Sequence, residues 1–192
     1  MKNALILHGI GGNPGINWYS YIVDQAKKIG YQVSVPQLPS SDKPDLNLTY
    51  KFLERAYVLD NDTVLIGHSS GASLALGILQ LLPASIVIRR TILVSGFIDT
   101  NLTLELHKYI PKSDYHKLFP QEWDWEKIKQ SSGDFIIFYS LSDPFVQSRH
   151  AETMKEKLSG TLIEIPNALH FSVTSGGERF KQFPELLEKI LE

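Results

Sequence analysis

Apolar and β-branched residues recur along this chain in short, near-continuous runs, separated by longer stretches with helical spacing. The runs predict strands at 3–7, 31–36, 62–67, 91–95, 134–140 and 161–165. Most are apolar throughout rather than alternating, which fits strands covered on both faces of a parallel sheet. Helical spacing predicts helices at 17–29, 46–58, 70–82, 146–158 and 177–191. In the last of these, Phe180, Phe183, Leu186, Leu187, Ile190 and Leu191 form one apolar face. Repeated strand–helix units imply a three-layer α/β fold. No repeat, low-complexity tract or linker divides residues 1–192, so a single domain is expected. Residues 97–132 break the alternation. They hold no convincing strand, Pro111 and Pro120 interrupt their helical stretches, and a short helix is expected within 123–129. Such an excursion belongs over the carboxyl edge of the sheet, where α/β proteins bind ligands.

The third predicted strand runs straight into Gly67-His68-Ser69-Ser70-Gly71, and a small-residue helix pattern follows. A G-x-S-x-G sequence at a strand-to-helix turn is the nucleophile elbow, in which the serine projects from the edge of the sheet. Glycines flank the serine because the backbone doubles back there and a Cβ would clash. Ser69 is the candidate nucleophile. The overlapping match Gly71-Ala72-Ser73-Leu74-Ala75 falls inside the helix and reads as packing. Taken alone, the elbow is also compatible with an ordinary βα turn in which the serine caps the helix.

A serine nucleophile needs a base, and the base needs an orienting group. In this architecture the order along the chain is Ser, then an acid, then His. The fifth strand ends in Ser142-Asp143-Pro144-Phe145, and the sixth in Asn167-Ala168-Leu169-His170-Phe171. Asp143 and His170 therefore complete the expected set, with Asp99 as the rival acid one strand earlier. His68 is expected to pack beside the nucleophile, whereas His107, His116 and His150 lack metal-ligand spacing. The developing oxyanion needs two N–H donors. The backbone of Ser70 supplies one, and the glycine-rich loop 8–14 supplies the other through the backbone of Ile10. Gly9-Ile10-Gly11 also opens a dinucleotide-binding pattern, but Pro14 occupies its last glycine position, and the loop lacks the Lys-Ser/Thr ending of a P-loop. No cofactor and no metal is expected.

Composition excludes more than it selects. The 192 residues carry a formal charge of −2, which gives no reason to expect nucleic acid or an anionic membrane as partner. The absence of cysteine removes disulfides, thiolate metal sites and a cysteine nucleophile. The first apolar run is too short for a signal-peptide core and no later run could span a bilayer, so a cytoplasmic protein is the plain expectation.

Together the glycine loop at 9–12, Trp18-Tyr19, the elbow at 67–72, the stretch 123–129, Ser142 to Phe145 and His170-Phe171 resemble the α/β-hydrolase superfamily. More narrowly, the chain is similar to the small serine hydrolases of the retinoblastoma-binding protein nine and YdeN-type family. That resemblance implies six parallel strands in the order 2-1-3-4-5-6, little or no lid, and Ser69, Asp143 and His170 as a catalytic triad. His8 before the glycine loop departs from some members. The expected function is a serine hydrolase acting on a small carboxylic ester, amide or thioester, with Trp18 and Trp123 as candidate substrate contacts. Simple packing of the excursion is the alternative for Trp123 and its neighbour Trp125. A non-catalytic protein-binding module is the alternative function, although nothing in the sequence indicates a protein partner.

Overall fold

The apolar runs form the six strands of one sheet in the computed structural model, which describes residues 2–107 and 111–192. The strands are β1 (Asn3–Leu7), β2 (Gln32–Ser34), β3 (Thr63–His68), β4 (Arg90–Val94), β5 (Phe135–Tyr139) and β6 (Thr161–Glu164). All pairings are parallel and the order is β2-β1-β3-β4-β5-β6. Every carboxyl end therefore reaches the same edge. The chain reverses its direction of travel across the sheet between β1 and β3, and the loops leaving these two neighbours border a crevice at that edge.

Side chains on a strand alternate between faces, and β1 shows the result. Ala4 and Ile6 join one buried cluster, while Leu5 and Leu7 join the other. The first cluster is closed by α1 (Tyr19–Lys27) and by the last helix, through Ile22, Ala26, Leu186 and Ile190. On the second face lie α2 (Leu46–Ala56), α3 (Ser70–Leu81), a short α5 (Trp125–Gln130) and α6 (Ser148–Leu158). Asp45 and Asp124 begin α2 and α5 by accepting the N–H groups of Leu48 and Lys127 at 2.9 and 3.0 Å, as N-caps do. The two short helices α4 (Leu104–His107) and α7 (Val173–Gly176) lie in loops at the carboxyl edge. No helix among the described residues is long and apolar enough to cross a membrane.

Two elements differ from the sequence expectation. The second strand is reduced to three residues at the sheet margin. The expected helix at 177–191 is divided into a 3-10 turn, Glu178–Lys181, and α8, Pro184–Leu191. Proline has no N–H to donate and restricts the residue before it, so Pro184 opens a helix and Phe183 stays outside with φ −151° and ψ 76°. The apolar face survives the break, with Phe180, Phe183, Leu186 and Ile190 buried.

Candidate active site

A single residue separates β3 from α3. It is Ser69, with φ 57° and ψ −124°, a left-handed conformation that a non-glycine residue occupies only when its surroundings enforce it. Here the enforcement is visible. The Ser69 N–H donates to Val94 O at 2.9 Å, and Ser69 O accepts from Ala72 N at 2.9 Å. A Cβ on Gly67 would collide with the backbone of Ala72, and one on Gly71 with the Leu7 and His8 carbonyls at the end of β1. Glycine at both positions is what lets α3 start against the sheet edge.

His170 lies in the loop between β6 and α7, and Asp143 lies just beyond β5. The His170 Nδ1 and Asp143 Oδ2 are 2.8 Å apart. Their side chains are only 10% and 2% exposed. The carboxylate also accepts the Ser95 hydroxyl at 2.8 Å and the N–H groups of Phe145 and Val146 at 2.8 and 3.1 Å. Burial opposes the Asp143 charge, but the His170 imidazole and these backbone donors outweigh it and hold the carboxyl below its ordinary range. An ionised carboxylate only accepts, so His170 Nδ1 carries the proton of this bond and Nε2 is left for other chemistry. Asp99 is directed elsewhere, to Arg149 at 2.7 Å.

The loop after β1 forms the opposite side of the crevice. His8 is almost fully buried and is tied into this loop. Its Nδ1–H donates to Gly9 O at 2.8 Å and its Nε2 accepts from Leu38 N at 3.1 Å, while burial lowers its pKa. Gly11 N donates to Ser41 O, and Gly12 N to Gly9 O. The Ile10 and Ser70 N–H groups have no backbone acceptor among the described residues.

Ser69 and His170 share the lining of one cavity of about 190 Å³ with Ile10. Phe97, Leu106, Tyr115 and Phe145 give it an apolar wall, and Asn17, Ser172 and Thr174 a polar one. Neither tryptophan expected to contact substrate lines it. Trp18 is fully buried beneath the site and donates its indole N–H to Phe171 O at 3.1 Å. Trp123 stacks against Phe119 and Trp125 and donates to Ile98 O at 2.8 Å. Both are anchors, because their amphipathic rings each find an apolar bed and a carbonyl. The wall residues escaped the sequence reading; only Phe145, next to Asp143-Pro144, sat beside a recognisable signal. Among the described residues no group of three or more His, Cys, Asp or Glu is arranged to hold a metal ion.

A profile of the serine hydrolase family matches residues 4–189. The chain is 26% identical over 191 residues to the serine hydrolase RBBP9 of Rattus norvegicus, covering 98% of this chain and 97% of that protein. It is 23% identical over 176 residues to YdeN of Bacillus subtilis (strain 168), covering 91% and 88%. The crystal structure of the B. subtilis ydeN product superposes with a TM-score of 0.85 at 21% identity, covering 100% of this chain and 97% of the other. Est1E from Butyrivibrio proteoclasticus, solved with ferulic acid bound, gives 0.69 at 13% identity, covering 100% and 90%.

Proposed function

The chain belongs to the serine hydrolase family, and from that premise we propose that it cleaves a small carboxylic ester through Ser69, His170 and Asp143. One observation carries the reading. A strained serine at a strand–helix turn shares a cavity with a histidine whose Nδ1 is bound to a buried carboxylate.

His170 Nε2 takes the Ser69 hydroxyl proton as Oγ attacks the ester carbonyl. The carbonyl oxygen becomes an oxyanion, which accepts hydrogen bonds from the Ile10 and Ser70 N–H groups. Collapse of this intermediate breaks the bond to the alcohol, which leaves with the proton held by His170. Water, deprotonated by His170 in its turn, then attacks the acyl-enzyme and releases the acid. Asp143 holds the imidazole in one tautomer and stabilises its charged form throughout. Small amides and thioesters are open to the same sequence. The cavity is smaller than the roughly 300 Å³ at which drug-sized sites begin, and one wall is aromatic and aliphatic. It suits a short apolar acyl group.

The test is labelling with a fluorophosphonate probe, followed by turnover of a p-nitrophenyl ester series. Wild type and Ser70→Ala should label and Ser69→Ala should not, with turnover fastest on the shortest esters. A folded wild type that resists the probe would overturn the triad and favour a binding role for the scaffold.

A further inference from the structure

His68 is a polar residue in a place where the fold would accept an apolar one. It shares its strand face with Val64 and Ile66, is 3% exposed, and takes no part in the proposed chemistry. Its two ring nitrogens are both engaged. Nε2 lies 2.9 Å from the backbone carbonyl of His170, which can only accept, so Nε2 carries the proton. Nδ1 is then a bare acceptor, and the Tyr19 hydroxyl donates to it at 2.9 Å. Tyr19 and Gly9 line the same cavity as Ser69.

The backbone of His170 needs such a hold. Leu169 and Phe171 on either side of it both have φ 51°, and Asn167 has φ 56°. Non-glycine residues in this region are strained and persist only where neighbouring groups enforce them. The groups that enforce them here come from β3 and from the start of α1. The His68 Nε2–H takes the His170 carbonyl, and the Trp18 indole takes the Phe171 carbonyl. The Asn17 side chain takes the Val173 N–H at 2.9 Å.

We propose that Tyr19 and His68 are positioning residues, a hydrogen-bonded couple that sets the His170 loop against Ser69. The proposal rests on the triad reading. His68 is rigidly adjacent to the nucleophile, so a bond from its ring to the His170 main chain fixes the base relative to the serine. Tyr19, the first residue of α1, fixes the same ring through its other nitrogen. The start of α1, the strand that leads into Ser69 and the His170 loop thus share one buried chain of hydrogen bonds.

The test compares Tyr19→Phe, His68→Gln and His68→Leu with wild type and Ser69→Ala, using the fluorophosphonate probe and a short p-nitrophenyl ester. A glutamine amide can replace the Nε2–H donor, whereas leucine fills the space without one. A loss of alignment near 1 Å is worth about 100-fold in rate. His68→Leu should therefore lower kcat by about 100-fold with KM within about twofold, and His68→Gln should recover most of it. Tyr19→Phe, which keeps the ring, should lower kcat by about 10-fold if the hydroxyl holds the imidazole. A wild-type kcat in folded His68→Leu or in Tyr19→Phe would overturn the couple, as would a His68→Gln enzyme no better than His68→Leu. If His68→Leu does not fold, Tyr19→Phe and His68→Gln still decide. An unlabelled wild type overturns the triad itself, and this proposal with it, whereas a labelled and active wild type confines any failure to the couple.

Discussion

Two segments flank the cavity at Ser69, and they differ in what they present to it. The loop at 166–175, which carries His170, is held by directional bonds. Beyond the Trp18 and His68 donors, Ser140 Oγ accepts Ala168 N at 3.2 Å and Ser175 Oγ accepts His170 N at 3.2 Å. The excursion at 97–132 has hydrogen bonds of its own to the fold, among them Ser73 to Phe97 O and Gln80 to Glu122 O, and it faces the cavity with rings. Phe97 meets Tyr115 and Phe119 edge-on at 5.8 and 6.0 Å, and Phe119 passes the contact to Trp123 at 6.1 Å. Hydrogen bonds specify distance and angle, whereas apolar burial is non-directional and tolerates repacking. The segment that carries the proposed base has polar ties at both the N–H and the C=O of that residue. The segment that shapes an acyl wall is built from material that can change without disturbing the base.

The sharpest way to break this comparison is to remove a carboxylate from each segment. In the proposed triad Asp143 orients the base, whereas Asp99, in the excursion, pairs with Arg149 at the surface. Asp143→Ala should lower kcat on a short ester by about 10³–10⁴-fold. Asp99→Ala loses one partly exposed ion pair and should stay within about twofold. Parallel kinetics on both variants decide the matter, and equal losses would remove Asp143 from the triad.

Each segment also leans on a buried imidazole, and pH tests the two together. Burial, aided by the neighbouring His170 and His8 and opposed by Asp143 and the His170 carbonyl, lowers His68 to about 3, with Tyr19 as its other partner. Burial and Arg149, opposed by Asp99 and the Asn101 carbonyl, lower His150 to about 4. In the unfolded chain these groups take up protons near pH 6.5, while the folded protein does not. The unfolded state therefore binds more protons below pH 6.5, and stability falls as pH drops towards 4. Each imidazole contributes a slope of up to about 1.4 kcal/mol per pH unit. Urea midpoints measured from pH 7 to pH 4.5 should fall in wild type and fall less in His68→Gln. A flat wild-type curve would mean that neither ring is buried as a neutral base.

The parts legible in the sequence follow the same division. Strand runs, the elbow glycines and the order Ser69, Asp143, His170 are local signals, each readable within a few neighbouring residues. The role of His68 was not readable, because its acceptor lies 102 positions away on a main-chain atom. Nor was the cavity wall, since Phe97, Leu106 and Tyr115 reach it through packing that periodicity does not encode. The break at Pro184 was a different matter. The proline was in plain view, and the apolar spacing that continued past it masked the interruption.

Trp123 is where sequence expectation and structure separate most clearly, and its substitution gives the smallest effect of the three. As a substrate contact it would alter KM. As an anchor it carries one hydrogen bond to Ile98 O and ring contacts with Phe119 and Trp125, outside the cavity at Ser69. Trp123→Phe removes the indole N–H and leaves an aromatic ring in place. The Ile98 carbonyl then loses a bond worth about 1 kcal/mol. For a domain of this size that corresponds to a melting midpoint lower by about 2–4 °C. KM for a short ester should remain within about twofold, because Phe97 is also held from behind by Ser73, whose hydroxyl donates to its carbonyl. A KM shift of tenfold or more at an unchanged midpoint would return Trp123 to the substrate site. A shift in both would show that the ring stack transmits its packing to the wall, and the excursion would then be as tightly specified as the loop that carries His170.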